Sequence, residues 1–154
     1  MGLVAYVPDA GLAGLIELCR ADEGIASVPL TSEQEGVGLI AGAWLGGARG
    51  ALLMQSSGVG NCINALSLTR TCRFPLVMLV AMRGEWGEAN PWQVPMGQAA
   101  PRALELAGVV VHRADQADEV AVALDAAARL AYQADSAAAV LIGQRVIGFK
   151  SFEE

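Results

Sequence analysis

Six short apolar runs, each followed by a turn signal and separated from the next by a helix-like pattern, constrain this chain more than any other feature. Residues 3–7, 25–30, 50–55, 75–82, 109–112 and 138–142 read as strands. Helical patterns fill 10–20, the stretch after Thr31 and Ser32, 58–70, 101–107 and 115–134. Strands that alternate with helices imply a parallel sheet covered on both faces. The fold class expected is α/β: three α/β/α layers around a six-stranded, mainly parallel sheet, with 1–154 as one domain. Residues 75–82 are almost continuously apolar, as a central strand covered on both faces should be. The segment 83–100 holds three glycines, two prolines and two tryptophans and reads as a long loop, and 144–154 reads as a tail.

Composition excludes several classes. Hydrophobic residues make up 54% of the chain and charged residues 17%, with a net charge of −6, so a nucleic-acid partner is not expected. No apolar run reaches the roughly 18–20 residues of a membrane span, Arg73, Pro75 and Arg83 interrupting the longest candidates. The start lacks the basic region of a secretory leader. Cys19, Cys62 and Cys72 form no CxxC motif, which fits reduced thiols in a cytoplasmic protein rather than a disulfide framework or zinc site. So little charge on a small domain points to an apolar face covered in an oligomer.

In such folds ligands sit at the carboxyl ends of the strands. These ends carry Val7-Pro8-Asp9, Leu30 to Glu33, Gln55 to Gly58 and Met82 to Glu85. Glu33 or Glu35 could serve as a first-turn or capping glutamate, or as a functional carboxylate. Their helix contains Gly36, Gly38 and Gly42, each costing up to about 1 kcal/mol of propensity, so it needs tertiary packing. Gln55-Ser56-Ser57-Gly58-Val59-Gly60-Asn61 brings flexible backbone and helix N–H groups to one turn. This turn is neither a dinucleotide fingerprint, since Ile63 replaces the third glycine, nor a P-loop. Asp9 could cap a helix, and Arg83 could pair with Glu85 or Glu88 or bind an anionic group. His112 reads as structural, and Cys62 as a small buried hydrophobe.

Together these residues resemble the pyrimidine-binding domain of thiamine diphosphate enzymes. The resemblance rests on Glu33 with Gly42 nine positions later, on the Ser56 to Asn61 turn, and on the Phe74-Pro75-Leu76-Val77 strand start, and it covers roughly residues 3–112. More narrowly, Val7-Pro8-Asp9, the run from Glu35 to Leu45, Met54 to Asn61, Ile63 to Leu66 and Met82-Arg83-Gly84 are similar to sulfopyruvate decarboxylase alpha subunits and to the N-terminal part of phosphonopyruvate decarboxylases. The resemblance implies that Glu33 activates the cofactor's aminopyrimidine ring, and that Ser56, Ser57, Gly58, Gly60 and Asn61 line its site. It implies that Asp9, Ala10 and Arg83 face an anionic 2-oxo acid, with Asp9 moving a proton. Gly spacing favours Glu33 over Glu35. The G-D-G motif that holds diphosphate and magnesium in this family is missing here. A separate beta subunit is therefore expected to hold them, in an α2β2 or larger assembly. The competing readings are a carboligase or other transferase subunit, a non-catalytic cofactor-binding domain, and a flavodoxin-like nucleotide-binding domain.

Overall fold

The computed structural model describes residues 1–148. Its strands are β1 (Leu3–Tyr6), β2 (Ala26–Pro29), β3 (Gly50–Gln55), β4 (Leu76–Ala81), β5 (Val110–Ala114) and β6 (Ala137–Ile142). Its helices are α1 (Ala13–Ala21), α2 (Glu33–Leu45), α3 (Ser56–Cys62), α4 (Ser67–Thr71), α5 (Val94–Leu106), α6 (Ala117–Ala134) and α7 (Gln144–Ile147), with 3-10 turns at Ala10–Leu12 and Pro91–Gln93. The sheet runs β2-β1-β3-β4-β6-β5, and every strand pairing is parallel.

The alternation of side chains along a strand divides the core in two. Leu3, Ala5, Leu52, Met54, Met78 and Val80 pack under α2, α3 and α5. Val4, Tyr6, Leu53, Val77 and Leu79 pack under α1 and α6 on the opposite face. β1 lies between β2 and β3, and the chain leaves it toward one edge and later returns on its other side. The crevice at the carboxyl ends of β1 and β3 is therefore a topological switch point. Asp9, Glu33 and Ser56 follow the three strands around it.

Four expectations are corrected. The segment 83–100 is not loop throughout, because α5 starts at Val94 and runs through Pro101, which lies inside the helix rather than at its start. Pro95 stands in the first turn, where a missing N–H costs nothing, and Pro101 removes only the bond that would run back to Gly97. Second, the pattern at 58–70 is two helices, α3 and α4, with a turn between them. Third, residues 144–147 form α7, with Gln144 buried. The rest of the expected tail, 149–154, lies outside the described residues. β5 also extends to Ala114, so His112 stands within it and not at its end.

The glycines of α2 are not equivalent. A Cβ on Gly36 would lie 2.4 Å from Leu52 Cδ1 and 2.8 Å from Leu30 Cδ1, whereas Gly38 and Gly42 face open space. Gly36→Ala should therefore destabilise the chain by about 1–3 kcal/mol through overpacking. Gly38→Ala should be neutral or stabilising by up to about 1 kcal/mol through helix propensity. Urea denaturation of the two variants measures the contrast.

Candidate functional site

The site is built around Glu33, the first residue of α2, whose side chain is buried at 5% exposure. Its Oε2 accepts a hydrogen bond from Asn61 Nδ2 at 2.8 Å. Its Oε1 lies over Gly58, where a Cβ would come within 2.3 Å of it. Any side chain at 58 would displace the carboxylate, which is the physical reason for glycine there. Glu35 has the other role available to a first-turn glutamate. Its carboxylate accepts from the Thr31 N–H and hydroxyl, bonds that hold it below the ordinary carboxylate range. Ser32 occupies the N-cap position without capping through its side chain, so Glu35 supplies the local cap and Glu33 is left to face the crevice.

The turn after β3 divides its residues between two tasks. Ser57, Gly60 and Asn61 line an open cleft of ≈ 760 Å³, whose opposite wall is Pro91, Trp92 and Met96. Gly60 lies against that wall, where a Cβ would make ordinary contact with Met96 Sδ at 3.6 Å. Ser56 faces inward instead. Its Oγ is fully buried, accepts the Arg83 N–H at 3.1 Å and ties the end of β3 to that of β4. The Ser56 hydroxyl thus has a structural bond, because it points between the strands.

Asp9 and Arg83, 74 positions apart, meet. Arg83 Nη2 lies 3.5 Å from Asp9 Oδ2, with side chains only 9% and 7% exposed. Asp9 also caps the 3-10 turn, its Oδ1 accepting from the Gly11 N–H at 2.9 Å, so the capping and charged roles coexist. Ala10 is exposed at the start of that turn. Neither Glu85 nor Glu88 takes Arg83 as an ion-pair partner. Glu85 grips Arg113, at 2.7 Å between Oε2 and Nη2. Glu88 accepts from the N–H groups of Asn90 and Gly84 and from Gln144 Nε2. Burial pushes the Glu88 carboxyl up, but these bonds, helped by the Arg83 charge, outweigh it and hold the group below its ordinary range.

Sequence reasoning missed Gln144, Gly97 and the Trp92–Met96 wall. A Cβ on Gly97 would lie 1.9 Å from the Arg83 carbonyl oxygen, so this glycine lets α5 seat against the end of β4. Gln144 stands just past the carboxyl end of β6, and that position was the signal available for it.

This architecture has relatives of known structure. A 2-oxoglutarate:ferredoxin oxidoreductase from Magnetococcus marinus superposes with a TM-score of 0.72 at 15% identity, over 94% of this chain and 26% of its own. A Mycobacterium smegmatis protein described as a thiamin diphosphate-dependent enzyme superposes with a TM-score of 0.69 at 17% identity, over 99% of this chain and 31% of its own. The class defined is an α/β domain of the kind found in such enzymes. No protein-family model matches the chain. Curated relatives do. The alpha subunit of sulfopyruvate decarboxylase from Methanocaldococcus jannaschii is 37% identical over 117 residues, 75% of this chain and 69% of that subunit. The corresponding subunit from Methanococcus maripaludis is 35% identical over 140 residues, 90% of this chain and 84% of its own. The chain belongs to the sulfopyruvate decarboxylase alpha-subunit family. It is also 38% identical over 105 residues to a phosphonopyruvate decarboxylase from Streptomyces viridochromogenes, covering 26% of that longer protein.

Cys62 is fully buried beside the site, and burial, then the Glu33 charge, push its thiol up from 9.0 to about 12. A thiol whose folded value is raised stabilises the protein below its unfolded value and loses that contribution as pH rises toward the folded one. Stability should therefore fall between pH 9 and about 12, by up to about 1.4 kcal/mol per pH unit from this thiol. Cys19 and Tyr132, also raised, act in the same direction. Urea unfolding across this range, repeated with Cys62→Ala, should show a smaller slope in the variant.

Proposed function

We propose that this chain is the pyrimidine-side subunit of a thiamine diphosphate-dependent 2-oxo acid decarboxylase, with sulfopyruvate as the substrate and phosphonopyruvate as the nearest alternative. The observation that carries the reading is the Glu33 carboxylate, buried, held on one oxygen by Asn61 and laid over Gly58 beside an open cleft. The residues present fit the group. The Asn61 bond occupies Oε2, and Oε1 receives no hydrogen bond among the described residues. A carboxylate oxygen with no donor of its own can share a proton with the N1′ position of an aminopyrimidine. The Gly60 backbone and the Trp92–Met96 wall give a flat ring two faces to lie between.

When bound, thiamine diphosphate supplies the electron sink that takes up the pair released as carbon dioxide departs. Glu33 holds the proton shared with the ring nitrogen, and Asn61 fixes which oxygen does so. Arg83 offers guanidinium donors to a sulfonate or phosphonate tail, since Asp9 approaches only one end of that fork. In this reading Asp9, beside Arg83 and the Gly11 N–H, takes up a proton and returns it at the reacting carbon.

A separate beta subunit carrying the diphosphate and magnesium site completes this reading, in an α2β2 or larger assembly. Its support is the missing G-D-G motif, the word alpha in the relatives' names, and an outer surface on α2 and α3 that carries no charged side chain beyond Glu35. Residues 36–48 contain no charged side chain, and Leu45, Trp92 and Leu106 are 74%, 81% and 85% exposed. The open faces of Gly38 and Gly42 would let another helix approach closely.

Carbon dioxide release from each acid, with cofactor and magnesium, tests the proposal. Activity is expected only when the chain is combined with a subunit carrying the G-D-G motif. Glu33→Gln in that complex should lower kcat by at least about a hundredfold, the range of a lost acid–base group. Undiminished turnover in the variant would refute the role of Glu33, and a complex that turns over neither acid would refute the substrate assignment.

A further inference from the structure

The most heavily used buried polar side chain among the described residues belongs to neither the cofactor turn nor the Asp9–Arg83 pair. Gln144 is 1% exposed at the start of α7. Its Oε1 accepts from the N–H groups of Glu85 at 2.8 Å and Trp86 at 3.0 Å. Its Nε2 donates to Glu88 Oε2 at 3.0 Å. Glu88 passes the restraint on, accepting from the Gly84 N–H at 3.3 Å and the Asn90 N–H at 3.0 Å. Asn90 in turn caps the turn that leads into Trp92 and Met96, its Oδ1 accepting from the Trp92 N–H at 3.1 Å. One amide therefore fixes both ends of the 84–90 loop. Arg83 precedes that loop, and the wall of the cleft follows it. The loop needs such a clamp because Gly84, at φ +73°, reverses the chain immediately after Arg83.

We propose that Gln144 is a positioning residue of the site, holding the 84–90 loop so that Arg83 meets the anionic tail of the substrate and the Trp92–Met96 wall closes on the cleft. The inference rests on the reading of function above.

A glutamate at 144 has nearly the shape of glutamine, and its protonated form reproduces the pattern: the carbonyl oxygen accepts from Glu85 and Trp86, and the hydroxyl donates to Glu88. Ionised, it confronts the Glu88 carboxylate and breaks the clamp. The charged groups around it are Glu88 and Glu85 on the loop, Arg83 beside Glu88, Arg113 bound to Glu85, Asp115 against Gly143, and Arg145 stacked on Trp86 from the same helix. Two carboxylates in contact cannot both stay ionised without cost, so acid should rescue Gln144→Glu.

In the complex with its partner subunit, Gln144→Glu should raise KM for the 2-oxo acid about tenfold near pH 8, with kcat within about twofold of the unmutated complex. Near pH 6 its KM should return to within about twofold of the unmutated value. Gln144→Ala, which has no acid form to restore the bonds, should show the raised KM at both pH values. A Gln144→Glu complex whose KM follows the unmutated complex at both pH values overturns the inference, as does a fall of apparent kcat at unchanged KM that tracks loss of folded protein. Amide hydrogen exchange of residues 84–90 in the same complexes provides a readout independent of turnover. If the unmutated complex uses neither acid, the reading of function fails, and exchange still decides the clamp. Protection lost near pH 8 and regained near pH 6 in Gln144→Glu supports it, and unchanged protection overturns it.

Discussion

The carboxylate of Glu33 resting on the Cα of Gly58 is the contact on which the rest of the site depends. Burying an ionisable carboxyl is costly unless its oxygens are satisfied, and within the described chain only Asn61 donates to it. The arrangement holds because α2 and α3 begin at the carboxyl ends of strands separated by β1 alone, so their first turns converge. Gly58 allows that approach, Asn61 fixes its geometry, and Gly36 lets α2 lie low on Leu52. The cleft is lined by Asn61, the residue that holds the Glu33 carboxylate, and that adjacency joins the fold to the proposed chemistry.

The second organising element is electrostatic. Asp9 and Arg83 form a nearly buried ion pair across the crevice. Such pairs add little net stability, since desolvation offsets much of the attraction, while losing one partner leaves an uncompensated charge. A pair of this kind is better understood as a fixed dipole in the crevice, where the proposed reading puts the substrate. Around it, Glu85, Glu88, Arg113 and Gln144 form a polar network that orders the loop between β4 and α5. Polar chemistry thus gathers at the carboxyl ends of the strands, while α2 beyond Glu35 and all of α3 carry no charged side chain. This division suits a subunit that presents half of a site to a partner.

Much of this was legible in the sequence, for identifiable reasons. The buried parallel strands show as apolar runs because both of their faces are covered, and 50–55 and 75–82 differ from β3 and β4 by two residues at most. Glu33 and Gly58 were accessible through spacing, since both lie in turns whose local geometry their own residues dictate. What escaped depends on tertiary context. The first half of α5, before the helical pattern read at 101–107, was hidden by Pro95 and Pro101, tolerated where the first lacks an intrahelical partner and the second loses one bond. Gln144 looked like the start of a tail because its partners lie nearly 60 positions away, and the Asp9–Arg83 pair spans 74. Ser56 was placed in the right turn, but the direction of its hydroxyl follows from β4, which no local pattern encodes.

The most direct test of the central claim follows the cofactor itself. Exchange of its C2 proton for deuterium, monitored by NMR in the assembled complex, isolates the step that Glu33 should serve, without any contribution from substrate. The account predicts that Glu33→Gln leaves thiamine diphosphate bound and slows this exchange by at least about a hundredfold. Exchange at the unmutated rate, with the cofactor bound to the same extent, would contradict it.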